Sequence, residues 1–282
     1  MGRLTANLDE RFAACGECRR AHSEVSPLDN RASMLETLPN KTCSSTALMP
    51  SHTIPTNPIR PALSIAGSSE SFSIRRIYCV GRNYLDHIRE MKEGDERDLP
   101  FFFQKPPDAI VADGGIVPYP PNTDDLQHEV ELAVAIGASA RNVPVDRALD
   151  VVFGYAVAID MTRRDRQRES LAKGLPWEVG KSFDHSAPCG QIHPASAVGH
   201  KMTGRIHLKV NGAVRQNGDL AQMIWNVPEI VAQLSKSYQL MPGDLIMTGT
   251  PAGVGPLAPG DHLDAVVDGL TPLKITIGPL EM

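Results

Sequence analysis

Leu126–Gly137, LQHEVELAVAIG, carries the alternation of a β-strand. Successive side chains on a strand point to opposite sides. His128, Val130, Leu132, Val134 and Ile136 therefore form one face, and Glu129, Glu131, Ala133, Ala135 and Gly137 the other. The second face sets two carboxylates side by side among the smallest residues. Like charges repel there, and strands are ordinarily poor in Glu. A solvated face would carry Lys, Thr or Ser in place of Ala-Ala-Gly. The pattern points instead to a cation between the carboxylates, because hard divalent ions take carboxylate oxygens.

A second stretch repeats the design. In Gly154–Asp160, GYAVAID, one face is Tyr155, Val157 and Ile159, and the other is Gly154, Ala156, Ala158 and Asp160. Glu129, Glu131 and Asp160 together make an all-oxygen, three-carboxylate set. Such a set suits Mg²⁺ or Mn²⁺ better than zinc or copper.

Composition narrows the class. The chain has 282 residues, 41% hydrophobic and 22% charged, with net charge −5 from 28 basic and 33 acidic side chains. The basic residues are dispersed, which argues against nucleic acid as a partner. No apolar run has the length of a membrane span, and the first residues lack the apolar core of a secretory signal. Five cysteines form no disulfide framework in a chain this long. A reducing, cytoplasmic setting is the expectation.

Residues 1–50 differ from the rest: rich in Ser, Thr, Asn, Arg and Cys, without sustained period. Cys15 and Cys18 form a CxxC near His22 and Cys43, but the second close pair of a zinc site is missing. Met49 begins more ordinary sequence, so residues 1–50 are expected to be a disordered or artefactual extension, with translation starting at Met49. Residues 51–72 read as an extended lead-in with one short hairpin, and 73–282 as the catalytic domain. Within it, Ile74–Val80 is a strand pattern and Asn83–Met91 a helix; Lys92–Leu99 is a charged mobile loop. Phe101–Phe103 and Ala109–Val111 flank a Lys105-Pro106-Pro107 turn, and Ile116–Pro121 is an extended edge. Val145–Leu149 and Thr162–Lys173 read as helices. Asn211-Gly212 joins His207–Val210 to Ala213–Gln216 as a two-residue hairpin. Asn226 and Glu229 form a capping box for a helix over Val227–Tyr238. Strands follow at Leu245–Met247, Leu263–Val267 and Leu273–Ile277. Thr248–Gly255, TGTPAGVG, is glycine-rich but lacks the Lys-Ser/Thr of a phosphate loop. Its Thr250 hydroxyl and neighbouring amides are suited to holding a carboxylate.

His87 and Glu90 stand at i and i+3 of a helix, on one side. The Glu can orient and charge-stabilise the ring so that it takes a proton from water. Arg164 and Gln167, in RDRQ, have the same spacing.

YCVGRNYLDHIREM, PFFFQKP, LQHEVELAVAIG, AIDMTRRDRQ, GLPWEVGKSFDHSAP, VNGAVRQNGD and GDLIMTGTPAGVG occur in an order that resembles the fumarylacetoacetate hydrolase family, in particular its acylpyruvate and fumarylpyruvate hydrolase branch. The resemblance covers roughly residues 73–278. It implies a mixed, β-rich α+β fold: a β-sandwich roll with a few short helices, forming a homodimer and holding one Mg²⁺ or Mn²⁺. The family's ExE…D ligand motif falls on Glu129, Glu131 and Asp160, the residues already chosen by the face pattern. It implies a lid helix that brings His87 and Glu90 to a water, substrate contacts from Arg164 and Gln167, and an active-site lysine at Lys181.

The expected chemistry is hydrolysis of a carbon–carbon bond in a 2,4-dioxo acid, fumarylpyruvate giving fumarate and pyruvate. The metal chelates the pyruvate end as Lewis acid and template. His87 activates the water, and Gln167, Arg164 or Lys181 supplies donors for the oxyanion. Lys181 assists protonation of the enolate, and Arg82 is the candidate for a distal carboxylate. A decarboxylase of oxaloacetate or another 2-oxo diacid, or a related isomerase, would use the same metal site without needing a nucleophilic water. A non-catalytic metal-binding β protein would keep the acids and lack His87 or Lys181; both are present. An aromatic content of 5% disfavours a carbohydrate-binding module.

Overall fold

The computed structural model describes residues 60–91 and 98–281. The CxxC segment, the Met49 start and most of the charged loop, residues 92–97, lie outside the described residues.

Two sheets pack face to face. One has six strands in the order His193–Pro194, Val152–Ile159, Val130–Ile136, Asp244–Met247, Arg76–Gly81 and Phe101–Lys105. The other has five: Ala213–Asp219, Arg205–Val210, His262–Val267, Leu273–Leu280 and Ile116–Tyr119. The expected Asn211-Gly212 hairpin forms with both residues at positive φ, 51° and 81°. Ile116–Tyr119, which carries Pro118, takes an edge as the missing N–H requires. The Val227–Ser237 helix begins with the expected capping box. This is the expected β-rich sandwich with few helices.

The large-residue face of the central strands makes the main core. Val130, Leu132, Val134 and Ile136 join Tyr155, Val157 and Ile159 against Ile206, Leu208 and Leu263 of the second sheet. Each such aliphatic side chain contributes about 1.5–3 kcal/mol on burial. The small-residue face differs from expectation. Ala133, Ala135, Ala156 and Ala158 pack against Leu63, Phe72, Ile74, Ala187 and Ile192 in a second core. Leu63 and Phe72 come from the short hairpin Ala62–Ser64/Ser71–Ser73. The alanines are small because another layer of protein lies on them, and only the Glu129 end of the face is given to the site.

Three element limits also differ. The stretch Leu126–Gly137 is not one strand: Leu126–His128 pairs with Thr162–Arg163 and Gly255–Pro256, and Val130–Ile136 joins the six-stranded sheet. At the break, the Val130 N–H donates to Gln216 Oε1 (3.0 Å) in place of a neighbouring strand. The helix expected from Thr162 starts at Arg164, because Thr162 and Arg163 are taken into that pairing. Val145–Val151 is a 3₁₀ helix.

Candidate metal centre and its cleft

The register of the central strands assembles the acids. Ile159 lies opposite Val130 and Ala158 opposite Glu131, and the Asp160 N–H donates to the Glu129 carbonyl (2.8 Å). Asp160 therefore sits across from Glu129 and diagonal to Glu131, on the same face. One carboxylate oxygen from each of the three lies within 4.8 Å of the others, and all three side chains are buried.

Three buried cations surround them. Lys181 Nζ donates to Glu129 Oε2 (2.7 Å), Asp160 Oδ2 (2.9 Å) and Thr162 Oγ1 (2.7 Å). Arg164 donates from Nη2 to Glu129 Oε1, from Nη1 to Gln167 Oε1 and from Nε to Gln127 Oε1. Lys105 Nζ lies 2.8 Å from Asp160 Oδ1 and donates to the carbonyls of Met161 and Lys181. Gly180 lets the Lys181 turn close on the Arg164–Ala172 helix, since a Cβ there would stand 2.8 Å from the Gln167 nitrogen.

The charges are distributed unevenly. Burial opposes ionisation of Glu129, but Lys181 and Arg164 outweigh it and hold the carboxyl well below its ordinary range. Burial also works against the Lys181 charge, and Asp160 and Glu129 override it, so the ammonium is kept. For Glu131, burial and then the neighbouring Asp160 and Glu129 charges push the carboxyl well above the ordinary value. Its oxygen Oε2 accepts from the Gly249 N–H (2.7 Å), and no ion pair to it is present among the described residues. Asp160 Oδ1 accepts no hydrogen bond despite the nearby Lys105. An oxygen-only trio whose Glu131 carboxylate has no ion pair among the described residues fits a divalent cation.

The trio lines a cleft together with His87, Arg82, Arg164, Gln167, Lys181 and Thr250. His87 and Glu90 stand on the Leu85–Met91 helix, with Nδ1 of His87 3.3 Å from Glu90 Oε2. That hydrogen bond is the largest influence on Glu90 and depresses its carboxyl; the Gly253 N–H, at 3.1 and 3.2 Å from the two oxygens, adds to it. Phe103 and Trp177 form an aromatic wall, with ring centroids 5.9 Å apart.

Residues 76–278 match the family model described as Fumarylacetoacetate (FAA) hydrolase C-terminal. The chain belongs to the fumarylacetoacetate hydrolase family. It is 43% identical over 181 residues to a fumarylpyruvate hydrolase of a Ralstonia species, covering 64% of this chain and 94% of that protein. It is 41% identical over 203 residues to human mitochondrial oxaloacetate tautomerase FAHD1, covering 72% and 91%. The crystal structure of fumarylpyruvate hydrolase from Pseudomonas aeruginosa, in complex with Mn²⁺ and pyruvate, is similar at TM-score 0.78 and 46% identity. That likeness covers 81% of this chain and all of that one. Among the described residues, no helix is long and apolar enough to cross a membrane.

Nine of the ten residues singled out from the sequence line one cleft of this family member, and the tenth, Glu90, is held beside it through His87. Two of them are bonded to protein groups. The Thr250 hydroxyl donates to the Val130 carbonyl (2.9 Å) and accepts from Gln216 Nε2 (2.7 Å), so its proton is not offered to a ligand. Arg164 donates to Glu129, Gln167 and Gln127 and so clamps the Glu129 end of the acid trio. Lys105, Gln216 and the Gly249 amide escaped the sequence reading. A lysine closing the apolar run FFFQK was the signal for Lys105; the other two carry none.

Proposed function

We propose that this protein is a divalent-metal-dependent hydrolase of acylpyruvates, cleaving the C3–C4 bond of a 2,4-dioxo acid, with fumarylpyruvate as its substrate. One observation carries the reading: His87, paired with Glu90 as a dyad able to activate water, lines the same cleft as the buried acid trio. Glu129, Glu131 and Asp160 would hold Mg²⁺ or Mn²⁺, which when bound supplies a Lewis acid for the 2-oxo acid end of the substrate.

His87, oriented by Glu90, takes a proton from a water whose oxygen bonds to C4. Gln167 donates to the oxyanion: its Oε1 is taken by Arg164, and its Nε2 makes no hydrogen bond among the described residues. The C3–C4 bond then breaks, and its electron pair leaves with the pyruvate enolate. Lys181 carries a proton at that end of the cleft for C3. One dioxo acid and one water thus give an acid and pyruvate, fumarate being the acid when the acyl group is fumaryl.

A second reading has a specific observation behind it, the 41% identity to an oxaloacetate tautomerase. Enolisation or decarboxylation of a 2-oxo diacid needs the metal end of the cleft and no nucleophilic water. A substrate panel with Mg²⁺ or Mn²⁺ separates the readings: fumarylpyruvate, acetylpyruvate, fumarylacetoacetate and oxaloacetate. Loss of enol absorbance with fumarate and pyruvate in equal amounts is the expected result. Oxaloacetate turnover with every dioxo acid left intact would overturn it. A homodimer in the cytoplasm belongs to the same proposal, and light scattering checks the mass.

A further inference from the structure

We propose that Trp177, set beside Phe103 on the cleft wall, determines acyl-group specificity, and makes the enzyme prefer a planar, conjugated acyl group over a saturated one of the same length and charge. The inference deepens the acylpyruvate hydrolase reading above and rests on it.

The cleft has two kinds of lining. The acid trio, Arg164, Gln167 and Lys181 are polar; Val80, Ile88, Met91, Phe103 and Trp177 are apolar. A row of contacts joins the two. The Lys181 ammonium, bonded to Glu129 and Asp160, lies 5.4 Å from the Phe103 ring centroid. The Phe103 centroid lies 5.9 Å from that of Trp177. The aromatic wall therefore adjoins the acid trio through Phe103, and Trp177 is next in the row.

The indole is held in place by its own turn and by its neighbours. The N–H groups of Gly180 and Lys181 both donate to the Trp177 carbonyl, at 2.9 Å each. Trp177 and Lys181 thus stand one turn apart, at i and i+4, on one side of that turn. Phe101 meets the indole edge to face with centroids 4.8 Å apart, and the Arg82 guanidinium lies 5.8 Å from it. Phe101 packs this closely against its own strand partner because residue 81 is glycine: a Cβ there would stand 2.1 Å from the Phe101 ring.

The Leu85–Met91 helix supplies the rest of the apolar lining near the water site. Ile88 and Met91 line the cleft with His87, and His87 and Met91 share a helix side at i and i+4. A C4 carbon attacked by a water at His87 therefore carries its acyl substituent among Ile88, Met91, Phe103 and Trp177. A fumaryl group is flat, because its double bond is conjugated with the C4 carbonyl. A succinyl group has two saturated carbons and turns about each bond. Flat unsaturated groups gain from aromatic rings beyond the area they bury, and a rigid group loses less freedom on binding. A wall of fixed rings rewards the first acyl group over the second.

The test compares fumarylpyruvate with succinylpyruvate, which keeps both carboxylates and the chain length and lacks the double bond. Trp177→Leu, and Trp177→Met with a longer chain that keeps more of the packing, should each lower the ratio of kcat/KM for fumarylpyruvate to that for succinylpyruvate by about 2- to 10-fold relative to wild type. Comparing ratios between variants cancels the difference in intrinsic reactivity of the two compounds. Trp177→Phe, which keeps a ring, should hold most of the wild-type ratio. Equal losses on both substrates in the Leu and Met variants would reduce Trp177 to a packing role and overturn the proposal. Calorimetric titration of the Mn²⁺-loaded proteins in a His87→Ala background, with the same two compounds, reads the ratio without turnover. If wild type hydrolyses neither compound yet the binding ratio falls in Trp177→Leu, the hydrolase reading fails and the role of Trp177 stands. If neither is hydrolysed and the binding ratio is unchanged, both fail.

Discussion

Gln216→Leu tests whether one buried amide holds the two halves of the site together. Gln216 is fully buried. Its Oε1 accepts from the Val130 N–H (3.0 Å) and lies 2.9 Å from His128 Nδ1; its Nε2 donates to Thr250 Oγ1 (2.7 Å) and to the Pro251 carbonyl (2.8 Å). Leu has nearly the same volume, so a cavity adds little. The substitution strands the Val130 N–H and the Pro251 carbonyl, at about 1–3 kcal/mol for each buried unpaired group. The sum, about 2–6 kcal/mol, corresponds to a fall in Tm of roughly 5–20 °C for a domain of this size. Activity should fall further than folding. The loop that Gln216 pins supplies the Gly249 N–H to Glu131 and the Gly253 N–H to Glu90. A displacement of about 1 Å at such groups costs on the order of 100-fold in turnover. Thermal melts followed by circular dichroism, with turnover measured well below the variant's Tm, read both quantities. A variant that melts within 2 °C of wild type, or one that keeps full turnover, would refute the reasoning.

Three further outcomes follow from the same geometry. His87→Ala should leave calorimetric Mn²⁺ binding intact while hydrolysis falls by about 10²–10⁴-fold, whereas Glu131→Gln should weaken Mn²⁺ binding itself; unchanged hydrolysis in the first would remove His87 from the mechanism. The depressed Glu90 carboxyl contributes stability that is present above its unfolded value, the ordinary 4.5, and lost as pH falls through the lower folded value. Wild type should accordingly melt above Glu90→Gln at neutral pH, with the two converging in the acid range; parallel curves down to pH 3 would contradict the assignment. Deleting residues 1–48, which precede the family match at residue 76, should leave activity and Tm within error, and a loss of either would make that segment part of the working enzyme.

The elements that the sequence announced correctly are those governed by local chemistry. Asn211-Gly212 must turn because both positions take positive φ, and Asn226 with Glu229 caps a helix from three residues away. The acid trio was legible for a related reason: strand alternation places Glu129 with Glu131, and the acid at the end of the next strand lands beside them once the two strands pair. The roles of Lys105 and Gln216 were not legible, because they depend on partners 34 or more residues away. Lys105 meets Asp160, and Gln216 meets His128 at a sequence separation of 88. The Gly249 amide carries no side-chain signal at all.

The sequence alone therefore determined a β-rich chain with three carboxylates on shared strand faces and a His–Glu pair on one helix side. Those features follow from periodicities of two and of three to four residues. Tertiary structure decided what the small-residue face is for. Alanine suits a packed layer as well as a metal pocket, and only the hairpin folded over Ala133, Ala135, Ala156 and Ala158 shows that most of the face is core. It also decided which acids are compensated. Lys181 and Arg164 reach Glu129, and Glu131 is left with a backbone amide. That imbalance, set by three-dimensional placement of charge in a buried cleft, is what suits the pair of glutamates to the divalent cation proposed above.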